Sequence, residues 1–390
     1  MRQTADVVII GGGVLGASLL YHLTTKGVRH AVLLEKGELA SGSTGDSAAI
    51  VRQHYSNEVS IRLVKKSVEM FQNFPDLFDG ANVFTNSGWF FLVPPEAGDN
   101  FQQNMAQLKR LGINTWEVSV AEAAKELPGL NPDGIGHIAY EPDAGYADPV
   151  GTVRAMVVKA VANGAEAHAQ TAAQNIKLSG GRVSAVVTAA GEISTPVVVN
   201  AAGPWAKIVG QWAGLDLPLQ ITREPEATFR PPAGGPRLRH PISNMVDRTY
   251  FRPMPDGTVL VGTGHPKESE PAAPENYRRE VDEKFISYVS ERMAHRLPAL
   301  AGGQFVKGWA GLYAVTPDWN MILDQSPDVD GLYLAVGGSG HSFKIGPALG
   351  RCLAELIVNG EASTVDISPL RATRFAEGDL LRSTYGGNRA

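Results

Sequence analysis

Gly11, Gly13 and Gly16 stand in GxGxxG spacing between the apolar run Asp6-Val-Val-Ile-Ile10 and a helical apolar pattern opened by Val14. An acidic residue, Glu35, closes the next apolar run, nineteen residues beyond Gly16. Such a set can hold a dinucleotide. The first glycine permits a tight turn, the second lets backbone approach a pyrophosphate, and the third allows close helix–strand packing. The helix start offers unpaired N–H groups and a positive dipole end to the phosphates. A carboxylate at Glu35 accepts hydrogen bonds from an adenosine ribose and repels a 2′-phosphate. The alternative is a glycine-rich turn in some other α/β fold. Far along the chain, Gly338-Ser-Gly340-His341 makes a second glycine-rich turn between the apolar run 331–337 and a helical pattern. It is placed to aim another helix N-terminus at the same ligand.

The elements that must position these turns follow from periodicity and turn chemistry. A small-residue loop spans 37–49, helical patterns cover 58–73, 97–111 and 119–127, and 81–93 reads as strands flanking a turn. A loop at 141–149 leads into a helix at about 150–163, and 174–199 alternates as short strands ending at Ala201-Ala202-Gly203-Pro204-Trp205. The Pro- and Arg-rich stretch 223–241 predicts a surface connection. A hairpin is expected over 247–264 across Pro255-Asp256-Gly257, a long polar helix over 274–296 and a final helix over 345–358.

At 390 residues the chain exceeds one typical domain, so two domains are expected. With 43% hydrophobic and 19% charged residues it has the balance of a soluble globular enzyme. A net charge of −5 without a basic run argues against nucleic acid as a partner. The single cysteine, Cys352, forms no intramolecular disulfide or cysteine metal cluster, supplies no metal site, and fits a reducing compartment. Asp6 and the glycines interrupt the first apolar stretch, so it is not a signal peptide. No run reaches the roughly 18 apolar residues of a membrane span. A cytoplasmic location is expected.

Five segments together resemble the D-amino-acid-oxidase-like flavoprotein superfamily, and within it the sarcosine oxidase, glycine oxidase and dimethylglycine dehydrogenase group. They are 8–13 with Glu35, 41–55 (Ser-Gly-Ser-Thr-Gly-Asp-Ser-Ala-Ala-Ile-Val-Arg-Gln-His-Tyr), 199–205, 308–318 and 338–344. The resemblance covers nearly the whole chain. It implies an α/β fold in which a Rossmann-type FAD-binding domain (1–80, 147–219 and 308–390) interleaves with an α+β substrate domain on an antiparallel sheet (81–146 and 220–307). It also implies FAD lying along Gly11, Gly13, Val14, Gly16, Glu35, Lys36, Ser43, Thr44, Ala202, Gly203, Trp205, Gly311, Gly338, Gly340, His341 and Lys344. The helix after 338–344 would face charge appearing on the reduced flavin.

The implied reaction moves a hydride equivalent from the carbon beside an amine to flavin N5, giving an imine that hydrolyses. A substrate carboxylate then needs a cationic partner. Arg52 and Lys344 match the positions that bind it in sarcosine oxidases; the alternatives are a surface salt bridge and a solvated helix-start lysine. Tyr55 and Tyr250 are candidates to line the pocket or hydrogen-bond the substrate, against the plain reading of satisfied buried tyrosines. His341 either places a donor near the flavin or caps the following helix. His265 matches a family histidine only with an insertion, and His54 reads as a loop histidine.

Departures from the family refine these expectations. Gly311 stands where some sarcosine oxidases attach flavin through cysteine, and 42–49 lacks the attachment histidine of dimethylglycine dehydrogenases, so FAD is expected to be non-covalent. Cys352 reads as a small buried hydrophobe. Leu260 takes the place of a lysine that promotes reaction with O2, which leans toward a dehydrogenase with another carrier. Tyr313 replaces an arginine of glycine oxidases, so secondary or N-methylated amino acids are favoured over glycine or D-amino acids. Two rival readings are a flavin-bearing subunit completed by partner chains and a nicotinamide-dependent dehydrogenase.

Overall fold

The computed structural model describes residues 1–264 and 267–385. The opening βαβ unit forms as expected: β1 (Val7–Ile10), α1 (Val14–Thr25) and β2 (Ala31–Leu34). Both strands are buried throughout, the pattern of parallel strands covered on two faces. With β9 (Glu166–His168), β13 (Val198–Asn200), β19 (Ile322–Gln325) and β20 (Leu332–Val336) they make a six-stranded sheet in the order β19-β20-β13-β1-β2-β9. Only β19 runs antiparallel.

One face of this sheet packs under α1, α2 (Glu58–Gln72), α6 (Pro149–Ala162) and α9 (Ser342–Asn359). On the other face lie α7 (Ala206–Trp212) and the antiparallel sheet of β10 (Ala173–Ser179), β11 (Arg182–Thr188) and β12 (Gly191–Ser194). The approach of α1 to α9 is tight: a Cβ at Gly350 would lie 2.2 Å from Ser18 Oγ.

The second large sheet has eight strands in the order β18-β14-β17-β16-β15-β5-β7-β6. These are β18 (Gln304–Val315), β14 (Gln220–Arg230), β17 (Val259–Thr263), β16 (Thr249–Pro253), β15 (Ile242–Asn244), β5 (Trp89–Val93), β7 (His137–Glu141) and β6 (Trp116–Glu117). All neighbours are antiparallel except β15 and β5. Alternation gives the two faces different work. Phe90, Leu92, Phe229, Phe251 and Val261 pack against Val289 and Met293 of α8 (Glu283–Arg296) and Ala123 of α5 (Val120–Glu126). The register puts Glu224, Glu226, Tyr250, Arg252, Ser243, Trp89 and Glu141 on the opposite face. A small sheet of β3 (Ile50–Val51), β8 (Gly145–Ala147) and β4 (Phe84–Thr85) ties the 37–49 loop to this body. The chain is completed by α3 (Phe74–Leu77), α4 (Gly98–Arg110) and α10 (Arg374–Glu377).

Three stretches differ from the sequence expectations. Residues 145–147, expected within a loop, form β8 between β3 and β4. The helix expected over 274–296 begins only at Glu283, where the Asp282 side chain accepts the Phe285 N–H. The third is the most consequential. The expected surface connection at 223–241 begins as β14, a buried strand between β18 and β17. Pro225 is tolerated because the β17 ladder starts only at Glu226.

Candidate functional site

The first glycine turn is shaped by close backbone contacts. Gly11 has φ +120°, and a Cβ there would lie 2.3 Å from Ala201 O. A Cβ at Gly16 would fall 1.9 Å from Gly11 O, so the start of α1 can approach the turn only as glycine. Gly13 precedes α1, and the Val14 N–H donates to Thr44 Oγ1 at 3.1 Å. Glu35 clamps the turn from β2: its Oε2 accepts the Gly12 N–H and its Oε1 the Gly37 N–H, each at 2.7 Å. A carboxylate has about four acceptor positions, so capacity remains for further donors.

Helices α2, α5, α6 and α8 begin on side-chain caps from Asn57, Ser119, Asp148 and Asp282. Helices α1 and α9 have no side-chain cap and no acidic residue in the first turn. Neither helix therefore carries an anion of its own at its positive end, and at α1 the nearest carboxylate is Glu35, held on the Gly12 N–H. Beside the first turn, Ala202 and Gly203 lead to Trp205, whose ring centroid lies 3.7 Å from Lys36 Nζ. Trp205 Nε1 is buried without a hydrogen-bond partner among the described residues.

A cavity of about 260 Å³ opens next to Ser43 and Thr44 and extends between the eight-stranded sheet and the second glycine turn. Ser43 Oγ donates to Leu312 O at 2.6 Å, fixing the loop to β18. Ser339 and Gly340 both have positive φ, and a Cβ at Gly340 would lie 2.4 Å from the Tyr313 ring. Gly338 is equally constrained, with a Cβ position 1.6 Å from Ser342 Oγ. A Cβ at Gly311 would press on Asp46 Cβ at 3.0 Å. His341 occupies the cap position of α9 without capping it through its side chain; its Nδ1 lies 3.2 Å from Tyr55 Oη.

Two cations reach this cavity. Arg52 follows β3, donates through Nη1 to His54 O, and lies 5.0 Å and 5.5 Å from the ring centroids of Tyr55 and Trp89. Lys344 sits in the first turn of α9 and is buried, with Nζ 5.8 Å from the Tyr55 centroid. Burial, and then the Arg52 charge, hold its ammonium well below the usual lysine range. Among the described residues no carboxylate pairs with either cation. A lysine that is buried, beside an arginine and at the positive end of a helix is unfavourable three times over. Neither the exposed salt bridge for Arg52 nor the solvated lysine applies.

From the sheet, Tyr250 and Glu226 face the same cavity. Tyr250 Oη donates to Glu226 Oε1 at 2.6 Å, while Glu226 Oε2 is buried without a partner among the described residues. Burial pushes the Glu226 carboxyl up to about 7; the Tyr250 hydrogen bond and the Arg252 charge oppose this, and Asp46 adds to it. Burial, reinforced by Glu226, raises the Tyr250 hydroxyl far above its ordinary range. The sequence does not single out Glu226, because the prolines and arginines of 223–241 have the composition of a surface connection. The available signal was the polar alternation Thr222, Glu224, Glu226, Thr228.

Other expectations need correction. Tyr55 does not line this cavity; it is buried behind it, between Arg52, His341 and Lys344. Leu260, expected above a flavin, is buried in the sheet between Thr228 and Arg252 and does not line the cavity either. His54 is not a loop-surface histidine. It is fully buried, 3.1 Å from Tyr385 Oη and 3.0 Å from Asn104 Nδ2, with Nδ1 3.8 Å from Glu141 Oε1. Burial and the Arg52 charge lower it to about 3, so it is neutral. Cys352 is buried within α9, as expected. His265 lies outside the described residues. No helix among the described residues is long and apolar enough to cross a membrane.

Comparison with known proteins bears on this arrangement. The chain is 29% identical over 380 residues to mouse mitochondrial sarcosine dehydrogenase, covering 92% of this chain and 40% of that protein. It thus spans about two-fifths of that relative's length. It is 28% identical to FAD-dependent oxidoreductase domain-containing protein 1 of Xenopus laevis, covering 96% of this chain and 83% of the relative. The crystal structure of L-proline dehydrogenase from P. horikoshii superposes with a TM-score of 0.90 at 27% identity, covering 98% of this chain and all of that one. The family model described as DAO, FAD dependent oxidoreductase, matches residues 6–356. The chain belongs to the DAO family of FAD-dependent oxidoreductases.

Proposed function

We propose that this protein oxidises the C–N bond of a small secondary or N-methylated amino acid, with Arg52 and Lys344 binding the substrate carboxylate. The observation that carries the reading is the pair of cations at a cavity beside the second glycine turn, neither held in an ion pair by a carboxylate among the described residues, although Arg52 acts at longer range on the buried Glu141. A buried ammonium beside a half-buried guanidinium is stabilised when an anion completes the pair. A carboxylate shared by a guanidinium and an ammonium is such an anion. The relatives named above point the same way, since sarcosine and L-proline are both secondary amino acids with a carboxylate beside the nitrogen.

The cradle fits FAD. Glycines 11 and 16 leave no room for side chains, α1 and α9 begin uncapped, and Glu35 retains acceptor capacity beside the turn. Val14, Ser43 and Thr44 then continue the path from the first turn into the cavity. Ala202, Gly203, Trp205 and Lys36 flank the adenosine end in this reading, and 338–344 flank the redox end. When bound, FAD accepts a hydride equivalent from the carbon beside the amine. The protein's part is to orient that carbon, through the carboxylate on Arg52 and Lys344, and to keep the amine in its reactive neutral form. Gly311 presents no attachment atom, so we expect FAD to be released intact by heat or acid. The interleaved domain division at 80, 146, 219 and 307 belongs to the same proposal.

The test is spectral. Purified protein should carry a flavin spectrum that bleaches anaerobically with sarcosine or L-proline and less readily with glycine or D-alanine. A bound flavin that no amino acid reduces, at any concentration up to saturation, contradicts the reading.

A further inference from the structure

We propose that Glu226 binds the substrate's ammonium group and takes a proton from it. This rests on the preceding reading of Arg52 and Lys344 as the carboxylate site. An amino acid in water is a zwitterion, and a cavity that accepts its carboxylate must also satisfy its cation. Among the residues lining the cavity, Glu226 carries an oxygen, Oε2, that is buried and unpartnered while Tyr250 fixes Oε1 at 2.6 Å. The tyrosine therefore fixes one oxygen, while Oε2 completes no hydrogen bond among the described residues; the Ala48 backbone N–H lies on its side and favours the charged form.

The surroundings suit a proton acceptor. Tyr250 and Arg252 face Glu226 from β16, Asp46 from the 37–49 loop, Tyr313 from β18, and Glu224 stands on the same face of its own strand. Arg252 does not form an ion pair with it; its Nη2 donates to Ala147 O at 3.0 Å, and its Nε is unpartnered. Arg52 and Lys344 are not among the principal charges acting on Glu226. The carboxyl that results titrates at about 7, between an ordinary carboxylate and an amine. In the step proposed, one ammonium N–H bond breaks, its electron pair stays on nitrogen, and an O–H bond forms on Oε2. The neutral amine is then competent for oxidation, and the proton leaves to solvent as the product departs.

The experiment compares an amino acid with an isostere whose nitrogen is replaced by ether oxygen: sarcosine with methoxyacetate, and L-proline with tetrahydrofuran-2-carboxylate. Dissociation constants are read from anaerobic flavin perturbation for the isosteres and from the concentration dependence of bleaching for the amino acids. Glu226→Gln keeps an oxygen to accept from Tyr250, so the wall is preserved. It should weaken amino-acid binding tenfold or more and leave isostere binding within threefold, or tighter. It should also abolish the rise in amino-acid affinity through pH 7. Glu226→Asp, which retains the charge, should restore part of the preference for the amine. Equal loss for amino acid and isostere, or an unchanged amino-acid affinity in Glu226→Gln, would overturn the proposal. Wild-type protein that binds the amino acids but neither isostere would instead overturn the carboxylate site on which it rests.

Discussion

Glu226 and Glu141 stand on the same face of the eight-stranded sheet, both buried, and burial raises each carboxyl to about 7. Each has one oxygen paired and one orphaned. Their surroundings differ. Glu226 opens onto the cavity beside Tyr250. Glu141 is sealed behind it, where Oε2 accepts the Gln53 N–H at 2.7 Å and Oε1 faces the neutral His54 among Trp89, Phe91, Phe101 and Tyr385. A displaced carboxyl marks a candidate for chemistry only where a ligand can reach it. Behind the cavity the same shift is a cost of packing, and its neighbour Arg52 connects the two regions by opposing the rise at Glu141.

Arg52 therefore offers the largest break in this comparison. Arg52→Met should lower kcat/KM for the amino acid by about a hundred- to a thousandfold, mostly through KM, because a charge pair formed in a half-buried site is lost. Flavin content should be retained. Loss of flavin with an unchanged KM in the remaining holoenzyme would remove Arg52 from the substrate site.

Glu141→Gln should separate the two carboxyls. Amino-acid affinity is expected to change by no more than about threefold, in contrast to Glu226→Gln. Stability should respond through pH. The folded-state carboxyl at about 7 lies above its ordinary 4.5, so the stability it contributes is present below 4.5 and lost as pH rises through 7. Glu141→Gln should flatten that decline by on the order of 2 kcal/mol. Thermal melts from pH 5 to 8 test this, and a parallel decline in wild type and variant would contradict it. His54 acts in the opposite sense. Held at about 3, it contributes stability above 6.5 that is lost as pH falls.

A smaller effect is expected at Tyr250. Its hydrogen bond favours the charged form of Glu226, so Tyr250→Phe should move the acidic limb of kcat/KM upward by about one pH unit. A limb that stays in place would mean that Glu226 does not govern it.

The Rossmann unit and both glycine turns were legible because their chemistry is local. At Gly16 and Gly338 a Cβ would meet Gly11 O and Ser342 Oγ, a few residues away, whereas the contacts that constrain Gly11 and Gly340, with Ala201 and Tyr313, come from distant parts of the chain and were legible only as glycine spacing. The two cations were legible only through resemblance, since nothing in their spacing reports that α9 carries Lys344 to within reach of Arg52. The acidic wall was not legible. Pro225, with Arg223 and Arg230 around it, gives the composition of a surface connection, yet Arg223 is buried by donating to Arg278 O, Glu280 O and Glu270. The burial of His54 is hidden for a related reason. Its partners Tyr385, Asn104 and Glu141 come from distant parts of the chain, and no local pattern announces that they converge.

The most direct measurement pairs a change in the substrate with a change in the protein. Sarcosine and its carboxamide, or L-proline and prolinamide, are compared in the anaerobic reductive half-reaction of the wild-type enzyme and of the Arg52→Met, Lys344→Met double variant. Removing the carboxylate should cost the wild type at least about a hundredfold in the second-order rate of flavin reduction. In the double variant the same change should cost about threefold or less, because the charge it removes no longer has a partner. An equal penalty in both proteins would contradict the assignment of this cation pair to the substrate carboxylate.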